Sequence, residues 1–455
     1  MDACTPLAVV VSSLLPATGN AVTAARFSRL LEAAGYRVIA LDVGKASTEV
    51  VEAVASEASL VIAVHAYRAG RLLRSICAPL VVVLGGTDVN QASAWEADPE
   101  IRAVLRSTFA RAKAVVAFTP DMAVRYDGMC DRLGLRSVPQ GAPHATVIPQ
   151  GVAGSVTASL PIDPMCPRGM RSTLGIPSTD GVLLLIAGLR SVKAPLLLAP
   201  AVARRNAALR KQGDTLHLVL LGPLLDPAFA SQVVAATGCD PSLLVTVNDE
   251  CTSARSYGTA VDAPAFLGGA SVHPTEVEEV LPSRFGGYGG VWYCPPVPHE
   301  LLANWLRCES LLDVAATEHS GGTDKGRDGR RSRGITVVVN SSDSEGQCNA
   351  LLEAMLAGVP VLARDNPGNS ALIEHGVTGW LWHSPDECLR LAEDLCLDST
   401  TADCDGLCER AGEFRCCQAP RSRLAKVATA ASDFVVSHHS CEAEAAAWAG
   451  LLSQW

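Results

Sequence analysis

What most limits the folds open to this chain is a rhythm of short, unbroken aliphatic runs separated by helical spacers. The rhythm occurs twice. In the first series Ala8–Val11, Tyr36–Leu41, Leu60–Val64, Leu80–Leu84 and Ala114–Phe118 are such runs, and Val147–Val152 reads as the last strand and the exit. Between the first two runs, Ala21–Ala34 is helical, with Phe27, Leu30, Leu31 and Ala34 on one face and Gly35 closing it. The second series comprises Val182–Ala187, a helix over Lys193–Ala208, His217–Leu221, Gly290–Tyr293, Gly334–Asn340 and Val359–Ala363. Strands that are apolar throughout must be covered on both faces, and alternation with helices makes the sheets parallel.

At 455 residues the chain exceeds one core, and the two series predict two doubly wound α/β domains. They occupy 1–152 and 181–433, joined by a proline-bearing linker over 153–180. Two stretches fit the second domain poorly. Residues 236–289 are rich in Gly, Ser and Thr, and 316–333 have nothing to bury, so both read as insertions, the second a solvated loop. Residues 434–455 read as a terminal amphipathic helix bearing Trp448, Leu451 and Leu452.

Composition narrows the function classes. The net charge of −10 and the lack of a basic stripe argue against a nucleic-acid binder. No apolar run reaches the roughly 20 residues of a membrane span, which leaves only peripheral membrane contact open. The N-terminus has no basic segment before Leu7, so a signal peptide is not expected. The 16 cysteines then read as reduced thiols in a cytoplasmic protein. Among Cys404, Cys408, Cys416, Cys417, His438, His439 and Cys441, only Cys404 and Cys408 come near zinc-ligand spacing, so no metal site is expected.

The stretch Val337–Met355 carries the chemistry. A strand runs into the polar loop Asn340–Cys348, and a helix opens near Asn349 and ends at Gly358. The first turn of a helix leaves amides unpaired at the positive end of its dipole, and Gly346 lets the chain approach a ligand, so a phosphate fits here. Glu345 lies in the loop and Glu353 follows eight positions later, about 12 Å of rise if all of it is helical. One carboxylate then reaches a hexose and the other a ribose diol. Alternatively, Glu345 serves only the helix dipole and Glu353 is a solvated helix residue.

These residues resemble the donor-binding signature of retaining GT-B glycosyltransferases of family 4, the glycosyltransferase group 1 domain. Glu345 and Glu353 match its paired glutamates. Ala357–Val361, Pro367–Asn369 and His375–Gly379 match its following landmarks, with Gly19-Asn20, Gly85–Asn90 and Ile148–Gly151 as moderate matches in the first half. The resemblance implies a nucleoside-diphosphate sugar as co-substrate, no further cofactor, no required metal, and retention of configuration. It implies that Arg190 and Lys193, after the strand Val182–Ala187, bind the donor diphosphate. Gly188, Gly222, Gly346, Gln347, Asn349, Ala350 and Glu353 would surround the donor, and Thr18, Gly19, Asn20, Gly85 and Gly86 would form the acceptor side. The acceptor itself, whether glycan, lipid or small molecule, is not specified.

Two departures stand out. Arg190 and Lys193 are closer together than in many members, so their roles could be unequal. Many members also place a His just before the Gly-Thr-Asp segment, where this chain has Gly85. His65 either replaces it from the preceding strand end or is a packed histidine, and Asp88 is the other carboxylate expected at the cleft. The rival readings are a phosphorylase or epimerase on the same scaffold, and a catalytically silent nucleotide-sugar binder, which Gly85 favours.

Overall fold

A computed structural model describes residues 5–15, 18–90, 97–137, 141–152, 170–209, 215–244, 286–297, 299–311, 334–396 and 420–454. The first sheet holds β1 (Leu7–Ser12), β2 (Arg37–Asp42), β3 (Leu60–Val64), β4 (Leu80–Val83), β5 (Ala112–Ala117) and β6 (Ala145–Val147). Its order is β2-β1-β3-β4-β5-β6, and every pairing is parallel. The second sheet holds β7 (Gly181–Ile186), β8 (Leu216–Leu221), β9 (Gly286–Tyr288), β10 (Val291–Cys294), β11 (Thr336–Asn340), β12 (Val361–Arg364) and β13 (Trp380–Trp382). It runs β13-β12-β11-β7-β8-β10-β9, with β9 alone antiparallel.

The central strands bury every residue, as β1, β3, β4, β8 and β11 show, so their aliphatic runs contribute to both faces of each core. The helices between them start where the sequence supplies an oxygen. Ser47, Asp98 and Thr119 each accept from first-turn amides.

Four boundaries differ from the sequence reading. No helix spans Lys193–Ala208. A short 3-10 turn, Ser191–Lys193, is followed by the helix Ala199–Leu209. Pro195 removes an amide donor near the expected start, and Ala194 sits at φ 42°, which ends the turn. Residues 170–180, placed in the linker because of their prolines, belong to the second core instead. Met170 and Leu174 on the helix Met170–Leu174 are fully buried there. Beside them the Arg171 guanidinium is buried against Glu309 (3.1 Å) and the Thr336 hydroxyl (2.9 Å). Residues 153–169 lie outside the described residues, as do 245–285 and 312–333, which hold most of the two insertions. The flanks of the first insertion are regular: the helix Ala230–Thr237 runs into it and β9 leads out.

The C-terminal segment is two helices, because Ser440 caps a new one. Pro420–His438 packs Ala431 and Val435 into the second core, whereas Cys441–Leu452 crosses to the first. There Trp448 meets the Phe27 ring edge-on at 4.9 Å, and Leu451 joins the same cluster. The crossing is pinned by polar contacts. Arg26 pairs with Glu444 at 2.8 Å and donates to Gln150 at 3.0 Å, and the Gln150 amide donates to Gln347 Oε1 at 2.9 Å. Cys404, Cys408, Cys416 and Cys417 lie outside the described residues. His439 shares the Gln150 carbonyl at 3.0 Å, and His438 that of Phe434 at 3.0 Å.

Candidate active site

In a parallel sheet ligands gather at the carboxyl ends of the strands, and here those ends meet. The turn after β4 meets the loop after β11. Asn90 Nδ2 donates to the Glu345 carbonyl at 2.8 Å and to Ser344 Oγ at 3.1 Å. A Cβ on Gly86 would stand 2.4 Å from the Gly346 nitrogen. Glycine at both positions is therefore what lets the two backbones touch.

Glu345 is buried, at 7% exposure, and one of its oxygens collects three donors. These are Lys193 Nζ at 2.5 Å, Ser342 Oγ at 2.6 Å and Asn340 Nδ2 at 3.1 Å. Burial pushes the carboxyl up, but the Lys193 ammonium and these hydrogen bonds outweigh it and hold the group below its ordinary value. Asn369, fully buried, donates to Asn340 Oδ1 (3.0 Å), and Asn366 donates to the Ser342 carbonyl (3.0 Å). Gly368 lies so near Glu345 that a Cβ would come within 2.4 Å of its carbonyl oxygen. Ser341 Oγ donates to the carbonyls of Lys193 (2.8 Å) and Ala194 (3.0 Å), fixing the turn after β7 onto the same loop.

The two cations after β7 have different roles. Lys193 is committed to Glu345. Arg190 has a buried Nε with no partner, and burial together with nearby Arg68 lowers its pKa against the opposing pull of Glu345. The helix opening the site is Asn349–Leu356, whose N-cap, Cys348, supplies no side-chain bond. The amides of its first two residues, Asn349 and Ala350, are thus left for another acceptor. Asn349 Oδ1 is also buried without a partner. Because the helix starts at Asn349, Glu353 lies only one turn along it, about 6 Å of rise. Glu353 Oε1 sits 3.3 Å from Nε2 of His299, a neighbour the sequence did not suggest. Gly346 and Gln347 are buried at the contact between domains, while Ala350 is partly open on the first turn.

Several expected site residues do structural work. Gly188 and Gly222 let the turns after β7 and β8 cross, since a Cβ on either would strike Leu225 or the Ala187 carbonyl at 2.3 and 2.1 Å. Asp88 is not a cleft carboxylate. At 3% exposure it accepts the amides of Ala66 and Gly85, both at 2.8 Å, and faces His65 Nδ1 at 2.7 Å. Burial raises its pKa, but the pairing with His65 and these donors hold it below the ordinary value. Thr18 caps the helix Gly19–Ala33, so Gly19 and Asn20 form its first turn rather than a loop.

His65 answers the question posed by Gly85. Its backbone is at φ 76°, a region that non-glycine residues avoid, and its ring lies over Gly85. A Cβ on Gly85 would come 2.8 Å from His65 Cδ2. The space above position 85 is thus filled by an imidazole supplied from the turn after β3, with Nε2 bonded to Thr87 Oγ1.

Residues 332–397 match the family model described as glycosyl transferases group 1, and that match contains the loop, the Glu345 site and the helix. This segment is a glycosyl transferases group 1 domain. The chain holding the group 1 domain is 28% identical over 385 residues to glycosyltransferase 1 domain-containing protein 1 of Xenopus tropicalis, covering 83% of this chain and 84% of that one. The crystal structure of Anabaena HepE in complex with UDP and glucose superposes with a TM-score of 0.59 at 14% identity, over 99% of this chain and 100% of that one. Sucrose-phosphate synthase from Thermosynechococcus elongatus gives 0.57 at 15% identity, over 99% and 98%. The fold is GT-B, with the group 1 domain in its second half. Among the described residues no helix is long and apolar enough to cross a membrane.

Proposed function

We propose that this chain is a retaining glycosyltransferase that moves a hexosyl group from a nucleoside-diphosphate sugar to an acceptor held by the first domain. The observation that carries the reading is the unpaired, buried Nε of Arg190, within the field of the ionised Glu345, together with the free amides that open the helix Asn349–Leu356. A guanidinium and free amides together suit a diphosphate. In the donor, the bond from the anomeric carbon to the diphosphate oxygen breaks, and the electron pair leaves with the phosphate. Arg190 and the amides at Asn349 and Ala350 meet the charge that develops there. The acceptor oxygen bonds the anomeric carbon on the face the diphosphate leaves, and its proton passes to the departing phosphate oxygen. Glu345, its one oxygen fixed by Lys193, accepts sugar hydroxyls, and Glu353 beside His299 takes the ribose diol. His65 offers its Nε2 to the sugar in exchange for Thr87. These protein cations take the part a metal plays elsewhere, so EDTA is expected to leave turnover unchanged.

The crystallised relative HepE binds UDP and glucose, which makes UDP-sugars the first donors to try, with GDP- and ADP-sugars beside them in a thermal-shift screen. With the donor found, Arg190→Gln is expected to weaken nucleoside-diphosphate binding by about tenfold or more. Equal calorimetric affinity in this variant and the parent would remove Arg190 from the site. The anomeric configuration of the product, read by NMR, decides retention against inversion.

A further inference from the structure

Next to the donor half of the cleft, the first domain holds its own cavity of about 330 Å³. It lies past the ends of β1, β2 and β3, where Ser13, Asp42, Tyr67, Arg68 and Arg71 line it. Its single carboxylate is partly committed: Asp42 Oδ1 accepts the amides of Leu14 (3.3 Å) and Gly44 (3.0 Å). Arg71 spends two donors on the carbonyls of Val43 (2.9 Å) and Arg68 (3.4 Å), which leaves the remainder of its five-donor fork unused. Arg68 is exposed, and its guanidinium makes no hydrogen bond or ion pair with any described residue. Across the cleft, Arg190 feels its like charge. Cations gathered at a cavity with one partly occupied carboxylate are stabilised when an anion enters.

We propose that this cavity binds an anionic group of the acceptor, a phosphate ester or a carboxylate, through Arg68 and Arg71. The proposal rests on the glycosyltransferase reading and adds the acceptor's chemical class. A hydroxyl elsewhere on the acceptor then reaches the sugar at Glu345, while the acceptor's charge stays on the first domain, apart from the donor diphosphate at Arg190. The neighbouring Arg68 and Arg190 mark where these two sites adjoin.

The test uses the full chain saturated with UDP and titrated calorimetrically with glycerol 3-phosphate, glucuronate and neutral glycerol. Saturable binding of a charged probe, with none for glycerol, is expected. Arg68→Gln is expected to weaken it by about tenfold while UDP affinity stays within about twofold. Glycerol 3-phosphate alone binding assigns a phosphate ester, and glucuronate alone a carboxylate. Arg68 loses no protein partner in the variant, and an unchanged melting temperature checks that the fold is intact. No saturable binding of either anion, or equal binding in the variant, overturns the proposal. So does a loss of UDP affinity with anion binding unchanged, which would give Arg68 to the donor. Should UDP fail to bind the parent chain, the donor reading falls by itself, and the same titrations without UDP still decide the cavity.

Discussion

The two walls of the cleft are built on opposite plans. On the second domain, Asn340, Ser342, Glu345, Lys193, Asn366 and Asn369 form one closed network in which almost every polar atom named has a partner on a neighbouring turn. On the first domain the Asp88–His65 pair is held in this way, whereas the arginines beside it border an open cavity. A wall fixed before the ligand arrives suits a transition state that recurs at every turnover. An open wall suits a partner that supplies the missing charge. The donor side is therefore preorganised, and the acceptor side is completed by what it binds.

The most direct way to break this contrast is to remove the charge at the centre of the closed wall. Glu345→Gln keeps the shape and can keep the bond from Asn340, but it takes away the counter-charge of Lys193. Transfer is expected to fall by about a thousandfold, the scale of losing one preorganised electrostatic group, with the far-ultraviolet dichroism unchanged. Parent-like turnover would show that the network is only structural.

A smaller effect is expected where the two walls touch. Gly86→Val places a side chain where even a Cβ would stand 2.4 Å from the Gly346 nitrogen, so the domains cannot close. Turnover is expected to drop by roughly tenfold to a hundredfold, because closure completes the site. Nucleotide affinity should be nearly kept, since Arg190 and the helix start lie on the other domain. Lost nucleotide affinity with turnover intact would reverse this assignment of the two walls.

How far the sequence reached follows the same division. Both sheets were legible because unbroken aliphatic strands leave few other folds, and the paired glutamates with the helix after them marked the donor wall. The helix expected from Lys193 starts only at Ala199, because a 3-10 turn and Pro195 interrupt a stretch of helical composition. Helix Met170–Leu174 was hidden among prolines, since its burial depends on partners more than a hundred residues away, Glu309 and Thr336. Asp88 read as a cleft acid because its backbone donors, Ala66, Tyr67 and Gly85, come from separate turns that only folding brings together. The same holds for His65 over Gly85. A missing side chain was visible in the sequence; the ring that fills its place was not. Arg68 carried no signal, because its meaning lies in partners it lacks.

The smallest predicted effect compares the walls through one carboxylate each. Glu345 and Asp88 are both buried and both held below their ordinary values, by Lys193 and by His65 respectively. A carboxyl whose folded pKa lies below its unfolded one contributes stability that is fully present above the unfolded value, near 4, and is lost as the pH falls through the folded value. The stability gap between the parent chain and Glu345→Gln should therefore be constant from about pH 7 to 5 and shrink below about 4. Asp88→Asn should behave alike, but its gap also contains a part that does not vary with pH, since the amide can keep at most some of the bonds from Ala66, Gly85 and His65. Urea unfolding of the three proteins across this range reads both gaps directly. A Glu345 gap that widens in acid would mean its carboxyl is held protonated, and the closed wall would then lack the charge on which the proposed chemistry depends.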